Sequence, residues 1–348
     1  MTYVAANPMM NLAVLRFDRS AAVVDGRIKL NNVNVINVPG GKAAIEGLQS
    51  GAFDAAEVPL SRFVYWIHKG AQLQAAPVFT DRMFQHEYIY TRPDTGITSL
   101  AQLGGRSVVC APSYFATPSF WHRALLKDEC GIEPQDIEWH SPIAEADEMR
   151  LPENVDVTIS PASILGLERL LDGTADALMT ARTPLVPGGH EHRVQRVLAD
   201  ANERQRSWHK RTGFFPILHL IAIRKQALQA RPDFGEEICR AYDGAKAHAY
   251  HVLQDDRMTG LPFMRGYLDD AVTQSGDDPW PYGVDRNRAE LGRFLGLALE
   301  HGLTSRHLSV DELFDTRAAN YTFQARMTPG CITGTSDGGW APQTIGPD

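Results

Sequence analysis

The chain of 348 residues is 43% hydrophobic and 22% charged, which allows a sizeable core in two domains or one bilobed unit. With 34 basic and 42 acidic residues, the formal net charge of -8 provides no basic surface for nucleic acid or anionic lipid. We therefore expect no nucleic-acid partner, and any anionic ligand must be held by individual arginines.

Signals for export and membrane insertion are not evident. No segment approaches the roughly 20 apolar residues of a membrane helix, and residues 1–17 do not form a secretory signal. The four cysteines, Cys110, Cys130, Cys239 and Cys331, lack a C-x-x-C spacing, which argues against a zinc knuckle and a disulfide framework. We expect a cytoplasmic protein with no membrane association.

Short apolar runs alternate with longer helical patterns along the first half of the chain. A run over residues 29–38 precedes a helical pattern over 42–48, and a run over 107–111 precedes one over 120–128. This is the rhythm of parallel βα units, and it excludes an all-β and an all-helical fold.

One short sequence pattern occurs twice. Residues 51–55 (G-A-F-D-A) and 173–177 (G-T-A-D-A) each follow a Leu-rich helical stretch and precede an apolar segment. Each predicts a helix that stops at glycine and returns into a strand, which indicates two similar α/β lobes. Ligands in such sheets bind beyond the carboxyl ends of strands, so Glu57 and Arg182, just after the two repeats, are candidates for a shared cleft. The alternative is coincidence, because the pattern is short.

The lobes are expected to be connected by two crossings. Residues 88–90 predict a strand that leaves the first lobe through a turn at 92–96, and 217–223 predict a buried strand that returns. Helical patterns follow over 233–253 and 286–301. The predicted domains are lobe one (residues 1–91 and 205–320), lobe two (92–204) and a C-terminal tail (321–348).

Several segments, in order along the chain, resemble the 4,5-dihydroxyphthalate decarboxylases. They include residues 17–19, 25–27, 51–60, 82–86 and 92–97. Residues 100–112 resemble a block shared with type II periplasmic binding proteins in general. Residues 211–219 (R-T-G-F-F-P-I-L-H) and 278–283 (D-P-W-P-Y-G) are more specific, because they resemble the decarboxylases rather than transport receptors. Together the segments span roughly residues 10–315.

The resemblance implies an α/β, two-lobed type II periplasmic-binding-protein-like fold, in which each lobe is a mixed, mostly parallel sheet flanked by helices. It also implies a carboxy-lyase that decarboxylates a hydroxylated aromatic, phthalate-like carboxylate without oxidation, and we expect a homo-oligomer. Residues 112–117 (P-S-Y-F-A-T) depart from the P-E-Y-Q-M-T of the family, which leaves the substrate open. The alternatives are an enzyme acting on another aromatic or pyrimidine-like acid and a solute-binding protein for a small aromatic or carboxylate anion.

Decarboxylation by ring protonation needs a positioned acid, which typically contributes about 10²–10⁴-fold. His86, just before the predicted crossing strand, is the first candidate for the acid or a proton relay; the alternative is a structural histidine at the hinge. His219, within an apolar segment, is either the second acid–base group or a core residue. Glu57 could accept a hydrogen bond from a phenol hydroxyl, orient a histidine or pair with an arginine.

Arginines match carboxylates because the guanidinium is a planar fork of donors. Arg19, Arg82 and Arg182 are therefore the predicted substrate clamps, with a solvated or structural role as the alternative. Tyr114 and Thr117 follow a predicted strand, where a binding loop and helix start would present donors to an anion. The alternative for Thr117 is helix capping.

No cofactor is required by the sequence. The dinucleotide, phosphate-loop and G-x-S-x-G fingerprints are absent, and the histidines lack the H-E-x-x-H spacing of zinc sites. Residues 190–192 (H-E-H) are interpreted as a solvated loop. No metal is predicted, and the alternative is a divalent ion held by Glu57, His86 and His219.

Overall fold

A computed structural model describes residues 8–144, 149, 151–160, 166–255 and 257–327. The strands are β1 (Met10–Val14), β2 (Val33–Asn37), β3 (Ala55–Pro59), β4 (Leu73–Arg82), β5 (Ile89–Thr91), β6 (Ser107–Cys110), β7 (Glu138–Ser141), β8 (Val157–Ile159), β9 (Ala177–Met179), β10 (Gln195–Arg196) and β11 (Ile217–Arg224). The helices are α1 (Asp18–Val24), α2 (Gly41–Ser50), α3 (Leu60–His68), α4 (Thr117–Cys130), α5 (Leu167–Leu171), α6 (Ala201–Thr212), α7 (Lys225–Ala230), α8 (Phe234–Gln254), α9 (Met264–Ser275), α10 (Val284–Glu300) and α11 (Thr316–Ala319).

The strands form two mixed sheets, one in each lobe. The first has the order β2-β1-β3-β11-β4 and the second β10-β5-β9-β6-β7-β8. In the first sheet β1 pairs parallel with β2 and β3, while β11 runs antiparallel between β3 and β4. In the second sheet β6, β7, β8 and β9 are parallel, and β5 runs antiparallel between β9 and β10. The parallel strands place their carboxyl ends at one edge of each sheet.

The repeated glycine pattern has the structural role that was predicted. Gly51 ends α2 with φ 80°, in the left-handed region that glycine enters without a steric penalty. Gly173 follows α5 with φ 83°. Each glycine returns the chain into a strand, β3 or β9, that pairs parallel with a neighbour. Glu57 and Arg182 therefore lie in, or just beyond, equivalent strands of the two lobes.

The first crossing between the lobes is earlier than predicted. β4 belongs to the first sheet and β5 to the second, so the chain crosses between Arg82 and Ile89 through a 3₁₀ turn at His86–Tyr88. The predicted boundary at residue 91 placed β5 in lobe one. β5 pairs instead with β9 and β10. The return follows the prediction, because β10 lies in the second sheet and β11 in the first.

The lobes share one continuous hydrophobic core. Val108 of the second sheet and Leu12 of the first belong to the same buried cluster. α4 contributes Trp121, whose indole Nε1 donates to the Ile217 carbonyl in lobe one at 3.0 Å. A smaller cluster covers the opposite face of the second sheet and contains Val109. Alternation along β6 therefore sends neighbouring valines to different faces.

The last described segment, residues 321–327, packs against the protein rather than forming the predicted tail. Phe323 and Met327 are buried within it. The rest of the predicted tail, residues 328–348 with Cys331, lies outside the described residues. Among the described residues, Cys110, Cys130 and Cys239 do not form disulfides. Across the described ranges, no helix combines the length and the apolarity that crossing a bilayer requires.

A polar cluster is buried where α4 meets the end of α10. Arg123 donates from Nε to His301 Nδ1 at 3.1 Å and from Nη1 to the Tyr114 carbonyl at 2.8 Å. Burial, followed by the nearby positive charge of Arg123, lowers the pKa of His301 to about 2. Burial likewise lowers the pKa of His122 to about 3 and that of His86 to about 4. The folded protein thus holds three histidines neutral.

Acidification is expected to destabilise the fold, because the unfolded chain binds protons at these histidines near pH 6.5. Each lowered pKa contributes stability that is complete above pH 6.5 and is lost as pH falls towards the folded-state value, at up to about 1.4 kcal/mol per pH unit. Urea denaturation at neutral and mildly acidic pH measures this loss.

A matched pair of variants tests whether His301 contributes to the pH dependence of the free energy of unfolding. His301→Gln keeps an acceptor for Arg123 but cannot be protonated, so it should reduce the pH dependence of the free energy of unfolding. His192→Gln removes an exposed histidine and should leave that dependence unchanged. Identical pH dependence in wild type and His301→Gln would contradict the prediction.

Candidate active site

A hydrogen-bonded carboxylate–imidazole pair lies in the first sheet. Glu57, on β3, is fully buried, and its Oε1 is 2.9 Å from Nδ1 of His219 on β11. Its Oε2 accepts a hydrogen bond from the backbone N–H of Leu15 at 3.2 Å, just after β1. In the antiparallel register Glu57 lies opposite Ile221, so His219, two residues away, projects from the same face.

The environment of His219 favours its protonated form. Burial alone would lower the pKa of the imidazole, but the hydrogen bond to Glu57 and the negative charges of Glu57 and Asp81 outweigh burial, so the pKa is raised. With Nδ1 donating to Glu57, Nε2 is the nitrogen left to act on a ligand. The His219 side chain is 19% exposed, whereas Glu57 lies behind it.

Asp81 is a part of this site that sequence reasoning missed. It lies opposite His219 in the pairing of β4 with β11, and its side chain is 29% exposed. Burial raises the pKa of Asp81, against the opposing effects of His219 and Arg19. The available signal was a single acidic residue near the end of a long apolar strand.

Arg19 is brought to the same place by α1. Its guanidinium stacks 3.8 Å from the ring centroid of Trp280 and 4.5 Å from that of Phe17. Nε donates to the Thr80 carbonyl at 2.7 Å, and Nη2 lies 3.9 Å from Asp81. We call Glu57, His219, Asp81 and Arg19 the acid–base cluster.

Arg82, predicted to bind the substrate carboxylate, instead forms hydrogen bonds and an ion pair in the protein interior. Its side chain is fully buried and donates to the carbonyls of Phe215 at 2.6 Å and Pro281 at 2.8 Å. It also pairs with Glu290 on α10 at 3.3 Å. Neighbouring strand residues point to opposite faces, so Arg82 turns towards α10 when Asp81 turns towards His219.

His86 does not join the acid–base cluster. Its ring packs against Trp208 of α6 with centroids 6.0 Å apart, and both ring nitrogens are buried without hydrogen-bond partners among the described residues. The charges that act on it are those of Glu129, Arg204 and Arg211. The expectation that His86 would lie beside Glu57 and His219 is therefore not met.

The remaining predicted residues lie at the edge of lobe two or between the lobes. Arg182 is exposed in the bend that follows β9. Tyr114 is fully buried, with the Arg123 guanidinium 3.9 Å from its ring centroid. Thr117 accepts at Oγ1 from the backbone N–H of Ser61 at 3.0 Å and donates to the Ser61 hydroxyl at 3.1 Å. Thr117 thus satisfies a free N–H in the first turn of α3, in the other lobe.

The predicted loop at residues 190–192 is an exposed turn, with a 3₁₀ helix over Glu191–Arg193. In the parts of the chain that the structure describes, no three His, Cys, Asp or Glu side chains are grouped to hold a metal ion. The alternative metal set is not assembled, because His86 lies apart from Glu57 and His219. The chemistry available at the acid–base cluster is proton transfer beside fixed charges.

Comparison with known proteins identifies the relatives of this chain. A 4,5-dihydroxyphthalate decarboxylase of Comamonas testosteroni is 29% identical over 316 residues, which cover 88% of this chain and 96% of that protein. This chain is a sequence relative of the 4,5-dihydroxyphthalate decarboxylases. A second such decarboxylase, of Pseudomonas putida, is 26% identical over 59% of this chain and 83% of that protein. The resemblance inferred from the sequence is confirmed, although no protein-family model matches the chain.

Solved structures share the fold. The periplasmic aliphatic sulphonate binding protein SsuA of Escherichia coli has a TM-score of 0.54 at 14% identity, covering 90% of this chain and 99% of that chain. The alkanesulfonate-binding protein SsuA of Xanthomonas axonopodis pv. citri has a TM-score of 0.50 at 12% identity, covering 90% and 97%. The predicted periplasmic-binding-protein-like α/β fold is confirmed. At this identity the likeness concerns the fold alone.

The raised pKa of His219 depends on Glu57, and this dependence can be measured directly. Glu57→Gln removes the negative charge but keeps an oxygen that can accept from Leu15, so the pKa of His219 should fall below its wild-type value. Histidine-ring NMR titration measures the shift. Glu87→Gln, on the crossing segment beside Arg196, is the control. An unchanged His219 titration in Glu57→Gln would refute the electrostatic account.

Proposed function

We propose that the chain catalyses the non-oxidative decarboxylation of a hydroxylated aromatic carboxylate, with 4,5-dihydroxyphthalate as the first substrate to test. The observation that carries the proposal is the buried Glu57–His219 pair, which favours an imidazolium at the carboxyl edge of a sheet. The two relatives named as 4,5-dihydroxyphthalate decarboxylases support the substrate class.

The reaction requires a proton at the ring carbon that carries the carboxylate. In the proposed step the His219 imidazolium transfers its Nε2 proton to that carbon and forms a C–H bond. The bond to the carboxylate carbon then breaks, its electron pair returns to the ring and carbon dioxide leaves. Glu57 stabilises the imidazolium before the transfer and holds the ring in one orientation. Water restores the His219 proton after product release.

Arg19 is the proposed anchor for the substrate carboxylate. Its Nη1 donates to Asp18 at 3.0 Å, and the Asp18 side chain is 58% exposed, so a substrate carboxylate can replace it at little cost. The bonds to the Thr80 carbonyl hold the guanidinium in place during the exchange. Arg182, exposed at the carboxyl end of β9, is the proposed second cation for a dicarboxylate.

Replacing His219 tests the proton donor. His219→Gln should lower kcat for carbon dioxide release from 4,5-dihydroxyphthalate by at least about 10²-fold, because glutamine cannot transfer a proton to carbon. His68→Gln, which changes a histidine beside Ser305 on another surface, should retain wild-type turnover. Released carbon dioxide and the dihydroxybenzoate product are quantified together, and thermal denaturation verifies folding.

Two results would overturn the proposal in different ways. If His86→Gln abolishes turnover while His219→Gln retains it, His219 is not the donor. If the wild-type protein binds hydroxylated phthalates and benzoates stoichiometrically without releasing carbon dioxide, the chain is a solute-binding protein and not an enzyme.

A further inference from the structure

Asp81 occupies a distinctive position beside the proposed proton donor. It is paired with His219 in the β4–β11 ladder, and the ladder register shifts on both sides of His219. Residues paired across antiparallel strands are neighbours whose side chains can interact. The two side chains therefore lie close enough to act on each other electrostatically.

The two carboxylates near His219 differ in access. Glu57 is fully buried and already engaged by His219 and the Leu15 N–H, whereas the Asp81 side chain is 29% exposed. Glu57 thus acts on the His219 imidazole from the buried side. Asp81 is the carboxylate of the pair that a ligand can reach.

The charged and titratable groups that face Asp81 come from every element around it. Arg19 of α1 lies 3.9 Å away, and His219 of β11 and Glu57 of β3 act on it electrostatically. Tyr88, on the segment that crosses to lobe two, also feels its charge. Asp81 therefore lies on the side of the acid–base cluster that is nearest to the segment connecting the lobes.

We propose that Asp81 is a second catalytic residue, which accepts the proton of a ring hydroxyl while His219 protonates the ring carbon. This inference rests on the proposed function and narrows its substrates to aromatic acids that carry a free hydroxyl group. It also assigns separate roles to the two carboxylates, since Glu57 orients and charges the imidazole and Asp81 contacts the substrate.

The proton and electron movements balance without any further reactant. The Asp81 carboxylate takes the hydroxyl proton, and the oxygen electron pair moves into the ring. The ring carbon that bears the carboxylate uses this density to bond the proton from His219. When the carbon–carboxylate bond breaks, its electron pair returns through the ring to the oxygen, which regains its proton from Asp81. Overall, one proton from solvent, delivered through His219, takes the place on the ring of the carboxylate that leaves as carbon dioxide.

The test compares Asp81→Asn with the wild-type protein in the carbon dioxide assay. Asp81→Asn should lower kcat for 4,5-dihydroxyphthalate by about 10²-fold or more and remove the acid limb of the kcat–pH profile, because that limb reports the base form of Asp81. Asp54→Asn is the matched control, since Asp54 accepts a backbone hydrogen bond from Asn11 at the amino end of the same sheet. Asp54→Asn should retain the wild-type kcat and both the acid and the basic limb of the kcat–pH profile.

A second measurement separates chemistry from structure. A ring-fluorinated dihydroxyphthalate ionises its hydroxyl more readily, so it needs a base less, and the deficit of Asp81→Asn should shrink at least tenfold with this substrate. A residue that only positions His219 would give the same deficit with both substrates. A wild-type protein that decarboxylates phthalate, which has no hydroxyl, as fast as dihydroxyphthalate would also overturn the inference.

Failure of the inference and failure of the proposed function give different results. If the wild-type protein releases carbon dioxide and Asp81→Asn keeps the wild-type kcat and the acid limb of the kcat–pH profile, only the role of Asp81 is overturned. Absence of carbon dioxide release by the wild-type protein from every hydroxylated phthalate and benzoate overturns the proposed function, and the role of Asp81 with it.

Discussion

The buried hydrogen bond between Glu57 and His219 is the constraint on which the site depends. A carboxylate in the interior is costly unless it is paired and hydrogen-bonded, and removal of one partner of a buried pair typically costs about 3–5 kcal/mol. Glu57 meets this requirement with His219 on one oxygen and the Leu15 N–H on the other. Three chain segments, β1, β3 and β11, must therefore meet in one register before the pair can form.

The junction between the lobes contacts lobe one within a few residues of this pair. Trp121 and Thr117 of α4 reach across to lobe one and donate or accept hydrogen bonds there, within a core that both sheets share. These bonds satisfy the indole N–H of Trp121 and the backbone N–H of Ser61 at the contact. Each crossing contributes a buried residue to this contact, His86 in the first and Ile217 at the start of β11.

Strand alternation decides which charged residues belong to the site. Asp81 and Arg82 are neighbours in sequence, but the pleat of β4 sends Asp81 towards His219 and Arg82 towards Glu290. The same rule places Glu57 and His219 on one face. Arg82 cannot bind a substrate carboxylate, because its buried guanidinium already donates to backbone carbonyls and pairs with Glu290.

The sequence by itself determined the βα rhythm, the two glycine-ended helices and the return crossing at β11, because these follow from local periodicity and backbone preference. It also identified Glu57 and His219 as candidates, through a repeat and a polar residue in an apolar strand. Only the tertiary structure decided that these two residues are hydrogen-bonded to each other, that Asp81 lies beside His219 and that His86 lies elsewhere. Those facts depend on register between distant strands and on the face that each side chain takes, which no local pattern specifies.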